Sequence, residues 1–328
     1  MNLAGTTTPF GVTADGRMVQ RITLRAGDLT AHLLTWGAVL QGLWLQGVPY
    51  SLTLGSDRLA DYQAAMRYHG ALIGPVANRL GGAAARVGGI LHRFDANQDD
   101  RITLHSGKAG THLKVWDVLE AKPESATLGL QLADGEGGFP GNRRVTARFE
   151  LTPPATLHLT VQVETDALTL INFANHSYWN LDGTPTWVGH SLRVDAARYL
   201  PTHADFLPTG EILATKESPL DFSTLRQITP NQPPLDHCFC LADAPQPLRD
   251  VLWLRGRSGV QMTLATTAPG VQVYDGRDAR RPGTGPHEGL AIEAQGWPDA
   301  PNHPGFPPIE LAPGQFWRQD TEWHFNRA

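Results

Sequence analysis

The chain is poor in cysteine and lysine. It holds Cys238 and Cys240, and its lysines are Lys108, Lys114, Lys122 and Lys216. The two cysteines lie two apart on what reads as a strand, so their side chains point the same way. That suits two small buried apolar groups better than a disulfide and predicts a reducing, cytoplasmic setting. Despite 13 His there is no His-x-x-x-His pair and no Cys-x-x-Cys, which argues against a zinc enzyme. Schiff-base chemistry needs a desolvated lysine, and most of these lysines sit among polar or turn residues. No basic block accompanies the net charge of -5, so nucleic acid is not an expected partner. No apolar run is long enough to span a membrane. Met1–Thr13 has neither a basic start nor a sustained apolar run, which predicts no signal peptide.

Glycine and proline are abundant, at 34 and 25 in 328 residues. They suit many strands joined by tight turns. Hydrophobic residues make up 41%, enough for a substantial core. Leu157, Leu159, Val161 and Val163 alternate with His158, Thr160, Gln162 and Glu164, the clearest amphipathic strand in the chain. Further strands are predicted at 21–45, 126–132, 143–151, 168–181, 235–241, 251–255, 260–267, 271–274, 290–295 and 321–325. Asp57 is placed to cap a short helix carrying Leu59, Tyr62 and Met66 and ending near Gly70. With no repeat and no composition break, residues 1–328 read as one domain. Two dozen or fewer short strands would fill a large all-β, antiparallel β-sandwich.

The stretch Gly289–Asn302 is the most informative. Leu290 and Ile292 share one face of a strand and Glu293 points to the other, before Gly296 and Pro298 end it. A carboxylate fixed there suits a general base; an exposed edge-strand glutamate is the plainer reading. In Asn172–Leu181, Asn172, Ala174, His176 and Tyr178 share one face, and both faces mix aromatic with polar groups. Rings that stack on C–H faces beside amides and imidazoles suit a sugar, although a lone histidine is more often satisfied by nearby backbone. His105 precedes a turn, where histidines are commonly surface or capping groups. Asp236 lies among apolar residues and needs an arginine or a ligand hydroxyl as partner. Gln272 and Tyr274 share a strand face.

Several motifs together resemble the aldose 1-epimerase (galactose mutarotase) family. They are Val76–Leu80, Leu104–Gly107, Asp134–Gly141, Asn175–Leu181, Tyr199–Pro201, Leu207–Glu211, Leu235–Phe239, Gly270–Tyr274 and Glu293–Asn302, in the family's order over nearly the whole chain. The resemblance implies a large β-sandwich with a sugar cleft on one sheet. It implies Glu293 as general base and His176 as general acid. It also implies that Asn78, Arg79, His105, Asp236 and Gln272 hold sugar hydroxyls, with Tyr178 lining the site. No metal and no organic cofactor is implied. The expected partner is a small aldose, and the chain is expected to be a monomer or weak homodimer. Pro75, Arg101 and Asp275 depart from the family pattern and bear on sugar preference.

The implied reaction interconverts the α and β anomers of an aldohexose such as glucose or galactose. A base takes the C1 hydroxyl proton, an acid protonates the ring oxygen, and the open aldehyde recloses on its other face. Glu293 is then expected to be ionised and His176 protonated, on opposite sides of the ring, with Glu293 and Asp236 raising the imidazole pKa and Arg79 opposing. The alternatives are a non-catalytic carbohydrate-binding protein on the same fold, which would not need both Glu293 and His176, and a hexose-phosphate epimerase, which would want a basic pocket.

Overall fold

The computed structural model describes residues 7–327. Among them lie three main antiparallel sheets. The largest has nine strands, in the spatial order Asp117–Ala121, Ser125–Leu132, Arg143–Thr152, Thr156–Thr165, Trp317–Arg327, Val260–Thr266, Arg249–Arg255, Ser191–Val194 and Arg226–Gln227. A four-stranded meander runs from Thr7–Val12 through Met18–Ala26 and Leu29–Leu34 to Val39–Leu45. A six-stranded sheet has the order Tyr178–Trp179, Leu290–Gln295, Gly270–Tyr274, Asp236–Cys240, Arg198–Leu200 and Leu213–Ala214.

The alternation read from the sequence is the alternation that packs. Leu157, Leu159, Val161 and Val163 are buried while His158, Thr160 and Gln162 are half-buried on the other face. They meet Phe149 and Ala147 from the neighbouring strand and Trp323 and Phe325 from the C-terminal strand. The same core takes Ile22, Leu33 and Leu43 from the four-stranded sheet, and Phe239, Val271, Val273, Leu290 and Ile292 from the six-stranded one. Two sheets thus cover one face of the nine-stranded sheet, a sandwich closed by apolar burial.

Three expectations change. Asp57 caps nothing: the helix is one turn, Leu59–Tyr62, with Arg58 at its N-cap and no side-chain cap bond. Leu59, Tyr62 and Met66 are nevertheless buried, and turns carry the chain on to Gly70. Residues 168–181 are not one strand but three two-residue pieces, Thr169–Leu170, Ala174–Asn175 and Tyr178–Trp179, pairing with three different partners. There the backbone exchanges sheet bonds for local ones, including Ser177 N–H to Asn175 Oδ1. The strands number 27 rather than two dozen among the described residues, because such short pieces are many. Cys238 and Cys240 are free and buried, as the spacing predicts. No helix among the described residues is long and apolar enough to cross a membrane. The first six residues of Met1–Thr13 lie outside the described residues.

Candidate active site

The strand Leu290–Gln295 is internal to its sheet, between Tyr178–Trp179 and Gly270–Tyr274. Leu290, Ile292 and Ala294 point into the main core. Glu293 points the other way, into a cavity of about 280 Å³, and is 2% exposed. The edge-strand reading of Glu293 therefore fails. The volume is at the small end of ligand cavities.

His176 reaches the same cavity from the irregular crossing between Ala174–Asn175 and Tyr178–Trp179. Its backbone is pinned at both groups: its N–H donates to Ala71 O at 2.9 Å, and its carbonyl accepts from Gly70 N–H at 3.0 Å. Gly70 has φ +69°, and a Cβ there would lie 2.2 Å from Leu40 O. Only glycine fits that anchor. His176 Nε2 and Glu293 Oε1 are 3.5 Å apart. The two groups thus sit side by side, not on opposite sides of a ring-wide gap. That suits the hemiacetal, whose two reacting oxygens are bonded to one carbon.

His105 and Asn78 hold each other. His105 N–H donates to Asn78 O at 2.9 Å, and Asn78 N–H donates to His105 Nδ1 at 3.1 Å. Both residues have positive φ, 51° and 64°, an uncommon backbone that the reciprocal bonds keep in place. Because Nδ1 accepts, the ring proton of neutral His105 sits on Nε2. Tyr68 fixes the imidazole rings, with centroids 4.7 Å from His105 and 5.8 Å from His176.

Asp236 is paired as its sequence setting requires. Its Oδ1 accepts from Gln272 Nε2 at 2.6 Å, and its Oδ2 lies 4.0 Å from an Arg79 nitrogen. Arg79 also donates to Gln98 Oε1 at 3.1 Å and lies over the Phe206 ring. Asn78, Arg79, His105, His176, Tyr178, Asp236 and Glu293 all line the cavity. Gln272 is not among these wall residues; it is buried beside Asp236, directly across the strand pair from Glu293 and so on the same sheet face.

The cavity has further walls that the sequence reading missed. Arg67, Tyr68 and His69 come from the segment after the short helix, Phe206 from the connection between the strands Arg198–Leu200 and Leu213–Ala214, and Arg277 lies three residues after Tyr274. His69 is buried and stacks on Tyr178, centroids 4.3 Å apart. A Tyr-His dipeptide just before Gly70 was the available signal. Asp275, a departure from the family pattern, is buried and grips Arg277 with two hydrogen bonds of 2.8 Å. Arg101, another departure, pairs with Asp205 at 2.8 Å.

Burial, not neighbouring charge, sets the proton inventory. Desolvation pushes His176 down to about 4, and pushes Glu293 up to about 8, with Asp236 adding to the rise and Arg79 opposing it. Near neutral pH the proton rests on Glu293 and His176 is uncharged. This reverses the expected charge states, because removing water from a fully enclosed ion outweighs the nearby charges. The pair still holds one proton, as expected, on the other member. Burial also keeps His105 neutral and raises Asp236.

His105, His176 and Glu293 offer ligand atoms all within 4.8 Å of one another, a spacing that could hold a metal ion. The Asn78 bond to His105 Nδ1 opposes this use. It leaves the free edge of that ring carrying a proton where a ligand needs a lone pair. The fit is to a hydroxyl oxygen, which accepts.

The comparisons with known proteins agree with this constellation. Residues 20–324 match the aldose 1-epimerase family. The chain belongs to the aldose 1-epimerase family. A galactose mutarotase of Mus musculus is 30% identical over 345 residues, covering 98% of this chain and 99% of that protein. An aldose 1-epimerase of Escherichia coli is 29% identical over 336 residues, covering 95% and 96%. The crystal structure of a galactose 1-epimerase from Lactobacillus acidophilus superposes with a TM-score of 0.86 at 25% identity, covering 98% of each chain. The sandwich described above is therefore a galactose mutarotase-like fold.

Proposed function

We propose that this aldose 1-epimerase family member interconverts the α and β anomers of an aldohexose such as glucose or galactose. The observation that carries the reading is the buried contact of 3.5 Å between His176 Nε2 and Glu293 Oε1 in a sugar-sized cavity. Anomerisation consumes no net proton. It needs one group that gives a proton and one that takes it, at two oxygens of one carbon. A pair holding a single proton between about pH 4 and about 8 supplies both roles.

The bond-making roles are those the family resemblance implies, and the resting pair reaches them by one internal proton shift. Proton transfer from Glu293 to His176 converts the resting pair into carboxylate and imidazolium without exchange with solvent. Arg79 favours the carboxylate, and sugar hydroxyls would supply the hydrogen bonds that burial removes. Glu293 then takes the C1 hydroxyl proton while His176 protonates the ring oxygen, and the C1–ring oxygen bond breaks to give the aldehyde. Rotation about C1–C2 presents the other carbonyl face. Closure returns both protons. Each positioned group typically contributes about 10²–10⁴-fold.

The remaining side chains supply orientation. His105 Nε2–H donates to a hydroxyl, Asp236 accepts from one, and Asn78 and Arg79 complete the polar wall. Tyr178 gives the ring a face to rest on. Gln272 acts through Asp236 by holding the carboxylate.

Polarimetry on freshly dissolved α-D-glucose and α-D-galactose tests the reading. Catalysed relaxation of optical rotation above the spontaneous rate is expected, with His176→Asn reduced to near background. A folded protein that leaves both sugars at the spontaneous rate overturns it.

A further inference from the structure

A second, larger cavity of about 690 Å³ lies beside the catalytic one. It is closed off from it by Leu54, which packs with Tyr178 and Ala291 and against Ala279. Leu54 lines the large cavity, while Tyr178 and Ala279 line the catalytic one. Nothing in the reaction uses the larger space.

Its walls carry two half-exposed aromatic rings, Trp44 and Tyr50. Each ring is seated against a glycine. A Cβ on Gly42 would lie 2.4 Å from the Trp44 ring, and a Cβ on Gly183 would lie 2.4 Å from Tyr50 Cγ. Both glycines therefore leave the room these rings occupy. Trp44 is braced by His32, centroids 4.7 Å apart, and the Tyr50 hydroxyl donates to Leu181 O at 3.2 Å. These contacts hold two flat apolar surfaces in fixed orientation.

The charges around the cavity are matched. Arg281 Nε donates to both oxygens of Glu288 at 3.1 Å, and Asp57 lies 3.7 Å from Arg21. The lining also carries Ser51 and Thr184, whose hydroxyls donate to Thr53 O at 2.8 Å and Thr186 O at 2.7 Å and so face a ligand as acceptors. Fixed aromatic planes beside hydroxyls and mutually neutralised charges favour an uncharged polyol with apolar C–H faces. The volume exceeds that of the catalytic cavity more than twofold, which suits more than one sugar ring.

We infer that this groove, bounded by Trp44, Tyr50, Thr184 and Arg281, is a second carbohydrate-binding site that takes an uncharged di- or oligosaccharide. It does not depend on the epimerase reading, since it shares no side chain with the proton pair.

The test uses methyl α-maltoside and methyl β-lactoside as probes. Their anomeric centres are blocked, so neither can be epimerised. Isothermal titration is run with saturating D-galactose present to fill the catalytic cavity. Binding of at least one probe under those conditions is expected. Trp44→Ala should weaken it by about tenfold or more, as truncating a central aromatic contact does. Thr184→Trp, which fills the groove from an exposed position and leaves the ring platforms intact, should abolish it. Both variants should relax α-D-galactose at the unaltered rate. Failure of both probes to bind in the presence of galactose overturns the inference. So does full-affinity binding by a folded Thr184→Trp protein. Either result leaves the epimerase reading standing, which the galactose rate measured on the same samples reports separately.

Discussion

Glu293→Gln should make the protein more stable while disabling it. The carboxyl is 2% exposed and desolvation holds its pKa at about 8 against an ordinary 4.5. A group raised on folding contributes its full stability below the unfolded value and loses it as pH climbs through the folded one. Below pH 4.5 the folded and unfolded chains both carry a neutral Glu293. Between 4.5 and about 8 the unfolded chain releases a proton that the folded chain retains, and stability falls. The interval, at about 1.36 kcal/mol per pH unit, sets a ceiling of about 5 kcal/mol. Glutamine has the same shape and no such loss. Urea unfolding of both proteins from pH 4 to pH 9 should therefore give curves that coincide at the acid end and diverge to as much as about 5 kcal/mol at the alkaline end. Turnover in the same variant should fall by about 10²–10⁴-fold. Parallel stability curves would refute the idea that the folded protein pays for an enclosed carboxyl, and an undiminished rate would remove Glu293 from the chemistry.

Other expectations follow from the same geometry. A plot of kcat/KM against pH should be flat between about 4 and about 8, because the pair then holds one proton. It should fall tenfold per unit beyond either limit, below because a second proton removes the base and above because the last proton removes the acid. Neither single variant should keep the plateau: by polarimetry, the residual rate of a folded Glu293→Gln protein should rise as His176 takes its proton, and that of His176→Asn should rise as Glu293 loses its own. Asp236→Asn removes a charged acceptor held by Gln272 at 2.6 Å and should raise KM by about tenfold to a hundredfold, with a smaller change in kcat. Phe149→Ala empties a fully buried site in the core shared by the sheets and should cost about 3–5 kcal/mol in chemical denaturation, leaving the rate of the folded fraction intact.

Much of the sandwich was legible because strand burial follows a period of two. The run from Leu157 to Val163 and the pair Leu290 and Ile292 declare their faces directly. The family motifs also placed Asn78, Arg79, His105, His176, Tyr178, Asp236 and Glu293 in advance, and the structure draws all of them to one cavity. What stayed hidden depends on three-dimensional enclosure. The order of the His176 and Glu293 pKa values reverses because both are sealed from water, and sequence carries no measure of that. Residues 168–181 read as one strand although both faces mix polar and aromatic groups, yet the crossing at His176 is set by bonds to Gly70 and Ala71 more than a hundred positions away. Gln272 shares a sheet face with its strand partner Glu293, but its amide turns onto the Asp236 carboxylate, a contact between strands that sequence does not declare. His69 was missed because it ends a segment that reads as a short helix and turns out to be mostly turns, and Phe206 because it lies in a stretch with no periodic pattern.

The two thiols have a practical consequence. Cys238 and Cys240 are enclosed, and their desolvation discourages the thiolate, with Cys240 pushed up to about 12. Alkylating reagents attack thiolates, so the native chain should stand nearly inert to maleimides under mild conditions. A single cysteine introduced on an exposed turn would then be the one nucleophile that a dye could find, with no need to delete the natural pair. Attachment beside Trp44 or on the rim near Arg67 would give optical reporters for each cavity in turn.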